Sequence, residues 1–483
     1  MRRLIVLGTT IALAAAHSAG LAQTPTPSAT PSPAMPTVVS NTIMRGLASQ
    51  GIPGAGVAIV RDRRVIFEKG YGFRNVAARL PVDVNTRFEI GSVTKQFTAA
   101  AILQLEESGK LSLDERLGKY IPQYAAARDI TIRQLLWQTS GIPNFMDFDK
   151  FEHLSTTHQG SFDAVLALVK NEPLQFRAGT RWRYSNTNYS LLARVVEIAS
   201  RIPWQRYVRE HIFEPAGMTH STFDDREGQV ADMAAGYFAD ALGKVTMSPS
   251  MGLWARGNGD IVSTAGDLAR WDDAFFGGRI VSPAHVLLAT TPGRLRDGSA
   301  TGYGFGWGID QHDGQRRISH NGRTNGFTAM NASFPELHER IIVLVNNADG
   351  DAQTLADHVF AALHPDLAAS ENVPAVGEDS RMTARIVDLA HHLRNGNPDR
   401  SQWTPTLRRF LTPQVLHTGR ALFVKRHPNS GQLLRWVYRG KRALPGGATF
   451  YMYNQLYESG LTMRVFVTVA RDGKFDQYFS IPG

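Results

Sequence analysis

Two widely separated apolar stretches restrict the fold of this chain more than any other feature. The first, "GAGVAIV" at 54–60, leads through "RDRR" into "VIFEKGYG", and the pair reads as a β-hairpin. The second, "RIIVLVNN" at 340–347, closes a run of strand-like segments, "YGFGWGID", "RRISHNG" and "GFTAMNASF", that begins at 303. Between them, from Gln96 to about Asp273, the pattern is largely helical, with "LLARVVEIAS" and "TAGDLARWDDAFF" as amphipathic pieces. Strands at both ends with helices inserted imply one antiparallel sheet completed by both termini of the domain, and an all-helical lobe. The expected class is α/β. A helix over about Asp351–Leu363 should follow the last strand.

At 483 residues the chain exceeds one compact core, and its composition, 43% hydrophobic and 20% charged, is that of an ordinary globular protein. "MRRLIVLGTTIALAAAHSAGLA", residues 1–22, has a basic start, an apolar stretch too short to span a bilayer, and small residues at Gly20 and Ala22. It predicts an export signal cleaved after Ala22, and hence a periplasmic or secreted protein. Residues 23–37, rich in Pro, Thr and Ser, read as a tether. A second break at 367–380 separates the 38–366 domain from a C-terminal part, 381–483, expected to hold two short helices and then strands as a small α+β domain.

Charge follows the same division. Residues 381–483 carry 16 Lys/Arg against 5 Asp/Glu, net +11, whereas 23–380 carry 34 against 38, net −4. No nucleic-acid-binding motif accompanies the basic segment, so its expected counterpart is an anionic envelope surface or the acidic partner domain, unless it is simply a solvated face. The chain contains no Cys, which removes disulfides and thiol or iron–sulfur chemistry. His391–His392 lacks metal-ligand spacing and no H-E-x-x-H occurs, so neither metal nor cofactor is expected.

Three short motifs bear on chemistry. "GSVTK" at 91–95 contains the one S-x-x-K of the chain; on a helix beginning at Ser92, Lys95 lies one turn later on the same face. Burial against "AAAIL" and the positive helix end would lower the lysine pKa, letting it take a proton from Ser92. Alone, the motif reads equally as a helix cap with a solvated lysine. "YSN" at 184–186 is the one Y-x-N: Tyr184 can relay a proton and Asn186 can hold an acyl amide, or Tyr184 packs and Asn186 caps a helix. "HNG" at 320–322 sits at a strand end, where Gly322 would admit a substrate backbone. H-x-G also occurs at His158, His312 and His417; strand context selects His320, with His417 the serious rival.

Together these motifs resemble the serine β-lactamase and penicillin-binding-protein superfamily, especially its class C-like branch of D-amino-acid peptidases and esterases. "FEIGSVTKQFTAAAILQLEESGKLSLDERLGKYIP", "TIRQLLWQTSGIP", "PAGMTHSTF" and "GNGDIVSTAGDLARW" carry the likeness, which extends over roughly 38–366. The resemblance implies a β-lactamase-like fold, with Ser92 as acylated nucleophile, Lys95 as its proton acceptor and Tyr184 as partner base and relay. Asn186 would bind the acyl side, His320 and Gly322 would line the site, and the backbone N–H groups of Ser92 and Arg323 would form an oxyanion hole. Where lactam-binding members carry Lys-Thr-Gly or Lys-Ser-Gly, this chain has His320-Asn321-Gly322. A neutral histidine is a poorer partner for a carboxylate than an ammonium, which favours ester, amide or small-peptide substrates over β-lactams. Arg323 either restores a charge there or points to solvent.

Overall fold

The computed structural model describes residues 35–151, 160–223, 230–239, 245–247, 252–370, 374–426, 430–444, 447–458 and 462–482. The predicted export signal and residues 23–34 of the predicted tether lie outside them. The last residues of that tether are not extended: helix α1 (Met35–Gln50) already includes them, because Pro36 is tolerated in a first turn and Val39, Ile43 and Leu47 repeat at helical spacing into a core.

The expected hairpin forms β1 (Gly54–Arg61) and β2 (Arg64–Asn75), with a short β3 (Leu80–Pro81) beyond it. The helical lobe follows, with α2 (Thr94–Glu107), α3 (Asn186–Ser200) and α4 (Ala265–Phe276) as its principal pieces. The chain then returns through β4 (Gly308–His312), β5 (Gln315–Arg323), β6 (Thr328–Phe334) and β7 (Glu339–Val345) to α5 (Ala352–Leu363). The sheet order is β3-β2-β1-β7-β6-β5-β4, antiparallel throughout, with Val57 opposite Val343 where the two ends of the domain meet.

Why β1 and β7 read as unbroken apolar runs is settled by their position at the centre of a sheet covered on both faces. Ala55, Val57, Ile59, Ile341, Val343 and Val345 pack into one core with α1 and α5. Their alternates Ala58, Val60, Ile342 and Leu344 belong to the larger core beneath the helical lobe. Each fully buried Val, Leu or Ile contributes about 1.5–3 kcal/mol. Helix α2 runs through that larger core and is buried on nearly every side.

One predicted strand is shorter than expected. Tyr303–Trp307 do not pair regularly and β4 starts at Gly308, because Gly306, at φ +76°, presses against the Lys95 carbonyl; a Cβ there would lie 2.7 Å from that oxygen. Backbone packing on α2 wins over extension.

Residues 380–482 build a second core. Helices α6 (Ser380–Asn395), α7 (Pro405–Phe410) and α8 (Pro413–Arg426) precede the sheet β8 (Leu433–Ala443), β9 (Thr449–Tyr457), β10 (Thr462–Val469) and β11 (Phe475–Pro482) in that spatial order. Ile386, Leu389 and Leu393 of α6 pack with Trp403, Tyr451, Tyr453, Val465 and Val467. Three helices thus replace the two expected before the strands; β8 is an edge strand whose Arg435, Lys441 and Arg442 conceal its pattern. Arg464 of β10 reaches His312 Nδ1 at 2.9 Å and Asp313 at 4.0 Å, and residues 35–483 form one compact unit. No helix among the described residues is long and apolar enough to cross a membrane.

Candidate active site

Ser92 lies in a 3-10 turn, Gly91–Val93, that runs into α2, rather than on the first residue of the α-helix itself. Its hydroxyl makes no capping bond. Instead Ser92 Oγ stands 2.9 Å from Lys95 Nζ and 2.8 Å from Tyr184 Oη. The helix-cap reading of "GSVTK" is thereby excluded, as is a solvated lysine, for Lys95 is 0% exposed.

Lys95 Nζ also donates to Asn186 Oδ1 at 2.8 Å and to the backbone carbonyl of Asn258 at 2.7 Å. Burial holds its pKa well below the ordinary lysine value. A neutral amine has two N–H bonds and one lone pair. Here two carbonyl oxygens, which can only accept, use both N–H bonds. Once deprotonated, the amine would be left with its lone pair facing Ser92 Oγ. Tyr184 in turn donates to Ser92 Oγ, and burial pushes its phenol well above the usual range, more than the Ser92 contact lowers it. The fold thus holds the Tyr184 phenol protonated beside Ser92 and makes the Lys95 ammonium easier to deprotonate than an ordinary lysine.

Asn186 begins α3, but the cap residue is Ser185, and the Asn186 amide serves the site, Oδ1 to Lys95 and Nδ2 to Met146 Sδ at 3.2 Å. Asn258 was invisible to motif reading because its contribution is a backbone oxygen. Its side chain anchors the turn by donating to Ser190 Oγ at 2.8 Å, and the family-like stretch "GNGDIVSTAGDLARW" was the available signal.

Gly322 lines the cavity beside Ser92, and its missing side chain also has a packing role. A Cβ there would lie 1.9 Å from the Ile90 carbonyl and 3.2 Å from Ser92 N, so glycine lets β5 press against the turn that carries Ser92. The matching residue Gly91, at φ +51°, leaves 2.7 Å between its absent Cβ and Arg323 N. Two glycines thus bring the backbones of 91–92 and 322–323 together.

A cavity of about 270 Å³ opens beside Ser92, lined among others by Tyr184, Asn186, Gly322, Arg323 and Asp351. The exposed Arg323 guanidinium donates to the Ala348 carbonyl, and Asp351 caps α5 through Gln353 N and Thr354 N. His320 does not line that cavity. Its ring is buried beside Tyr184 and Tyr303, with centroids 6.0 and 5.7 Å away, and its pKa is lowered to about 3 by burial and by Lys95. The rival His417 is exposed on α8, His312 is buried at the far end of β5's hairpin against Phe360, and His158 lies outside the described residues. Among the described residues no group of His, Cys, Asp or Glu is arranged to hold a metal ion.

Comparison with known proteins matches this geometry to a family. Residues 39–364 fit the sequence profile described as Beta-lactamase. Protein flp of Staphylococcus aureus (strain MW2) is 28% identical over 67% of this chain, which spans 64% of that protein's length. Penicillin-binding protein 4* of Bacillus subtilis (strain 168) is 28% identical over 68% of this chain and 75% of its own. Among solved structures, the octameric penicillin-binding protein homologue from Pyrococcus abyssi superposes with TM-score 0.61 at 23% identity, covering 92% of this chain and 89% of that one. The fold is shared too by D-amino acid amidase from Ochrobactrum anthropi SV3, with TM-score 0.59 and 22% identity over 69% of this chain and 98% of that one. With well over half of its residues inside the profile and the expected fold around them, this chain belongs to the β-lactamase family of serine hydrolases.

Proposed function

We propose that the chain is an exported hydrolase that works through an acyl-enzyme on Ser92, with esters and small amides or peptides, D-aminoacyl ones included, as substrates. The observation that carries this reading is the donor count at Lys95: two carbonyl acceptors fill its N–H bonds and its lone pair meets the Ser92 hydroxyl. Ser92 Oγ attacks the substrate carbonyl carbon while its proton passes to Lys95 Nζ. The oxyanion is met by the backbone N–H groups of Ser92 and Arg323, an interaction of the kind worth about 3–4 kcal/mol per donor. Collapse breaks the bond to the leaving oxygen or nitrogen, which takes its proton from Lys95 through Tyr184 Oη. Water then attacks the acyl carbon, gives its proton back along the same route, and releases the acid with Ser92 restored.

Several features support ester, amide or peptide turnover over lactam hydrolysis. His320 replaces a lysine and is neutral, and the cavity's Arg323 is engaged by Ala348. The shared fold with a D-amino acid amidase is compatible with small amide substrates. The signal-like residues 1–22 and the net +11 of residues 381–483 support export and association with an anionic envelope. Ser92→Ala should abolish both hydrolysis of p-nitrophenyl esters and labelling by a fluorophosphonate; turnover by the purified variant overturns the reading. A panel of p-nitrophenyl esters, D-alanyl peptides and a cephalosporin ranks the substrates.

A further inference from the structure

His320 packs against Tyr184, the phenol whose hydroxyl meets Ser92 Oγ, so it stands one ring behind the nucleophile, and both of its ring nitrogens are already engaged. Nδ1 lies 2.6 Å from the Asn321 carbonyl, an obligate acceptor, so Nδ1 bears the ring proton. Nε2 lies 2.9 Å from Tyr303 Oη. With the proton on Nδ1, Nε2 is a lone pair and the Tyr303 hydroxyl donates to it. Tyr303 is 5% exposed and burial keeps its phenol protonated.

We infer that Tyr303 is a positioning residue that locks His320 in the Nδ1–H tautomer and so closes this side of the site to anionic leaving groups. The inference rests on the acyl-enzyme reading and names the substrate class within it: esters and amides whose leaving group is uncharged. A locked His320 offers no N–H to a carboxylate. It cannot gain one by protonation either, since the groups facing it are the Lys95 amine and the Tyr184 and Tyr303 phenols, with no carboxylate among them to stabilise an imidazolium. The leaving atom takes its proton from Tyr184, whose ring packs edge-on to Tyr303 at 6.3 Å, so the departing group passes this neutral aromatic wall. Trp182, 41% exposed with its ring 6.0 Å from Tyr303, extends the wall to solvent.

Two measurements on the full-length protein test this. In the wild type, long-range ¹H–¹⁵N spectra of the imidazole rings should show His320 protonated at Nδ1 and bare at Nε2, unchanged between about pH 5 and 8. An Nε2–H tautomer, or a titration in that range, overturns the proposal. Tyr303→Phe removes the donor and keeps the ring. Its ratio of kcat/KM for a neutral ester to that for the same acyl group carried by a carboxylate-bearing leaving group should fall about tenfold, with a new acid limb in the pH profile. An unchanged ratio and profile in a folded variant also overturn it. Failure of fluorophosphonate to label Ser92 would remove the acyl-enzyme reading while leaving the tautomer spectrum intact, so the two failures are distinguishable.

Discussion

Lys95 Nζ lies 2.9 Å from Ser92 Oγ with no exposure to solvent, so a buried amine and a hydroxyl one helical turn apart are in hydrogen-bond contact, the geometry that the proposed proton transfer requires. Burial alone depresses the amine's pKa; the dipoles of Asn186 and Asn258 orient it. Lys95→Met should reduce the rate of Ser92 acylation by about 10²–10⁴. The check is the pre-steady-state rate of fluorophosphonate or ester acylation in protein that melts cooperatively.

The same depression has a stability signature. The unfolded chain holds the Lys95 proton up to the ordinary lysine pKa, whereas the folded chain releases it well below, so stability rises with pH between those two values. A tenfold difference in proton affinity between the two states corresponds to about 1.4 kcal/mol. Lys95→Met should flatten that rise, which urea unfolding of both proteins at several pH values between neutral and about 10 would record.

Asp272 has the opposite sign. It is fully buried on α4, accepts from Asn331 Nδ2 at 2.8 Å, leaves Oδ2 unpaired, and has its pKa raised to about 7 by burial. The folded chain therefore holds a proton that the unfolded chain has already lost, and stability falls as pH rises from about 4 to 7, then levels. Asp272→Asn should remove this dependence and gain on the order of 3–4 kcal/mol relative to the wild type between acid and neutral pH. Melting temperatures of the two proteins across that range should diverge and then run parallel above about pH 8.

Gly322→Ala places a Cβ 1.9 Å from the Ile90 carbonyl, which forces the Ser92 turn away from β5. Loss of about 1–3 kcal/mol of stability is expected from overpacking. A loss of about 10²-fold in kcat should accompany it because the nucleophile moves relative to its oxyanion donors. The kcat loss should exceed any change in KM.

Arg464 couples the C-terminal sheet to the buried His312–Asp313 turn. That turn stands at the end of β5 opposite Gly322, so Arg464→Ala should leave ester turnover unchanged while removing the hydrogen bond to His312 Nδ1, a loss of about 1 kcal/mol at this contact. Faster limited proteolysis of residues 380–482, with an unaltered kcat/KM, is the expected result.

Local chemistry in the sequence was enough to determine the sheet-ends-plus-helical-lobe architecture, since "GAGVAIV" and "RIIVLVNN" can be buried on both faces only at the centre of one sheet. The short motifs left Ser92, Lys95, Tyr184 and Asn186 open between structural and reactive readings, and the longer family-like stretches around them were what favoured the reactive one. The bounds of α1, of β4 and of the edge strand β8 were not legible, because packing on α5, a glycine pressed on α2 and surface arginines override local pattern there. Tertiary structure alone decided the chemistry of those residues. The depressed pKa of Lys95 comes from its burial, and its two acceptors are brought from positions 186 and 258 by the fold; sequence spacing carries no information about desolvation. His320 was legible as a strand-end histidine, but its depressed pKa comes from burial and from Lys95, and its Tyr303 partner is brought to it only once β5 is folded against the turn before β4. A side chain's type is written in the chain, whereas its proton is placed by its surroundings.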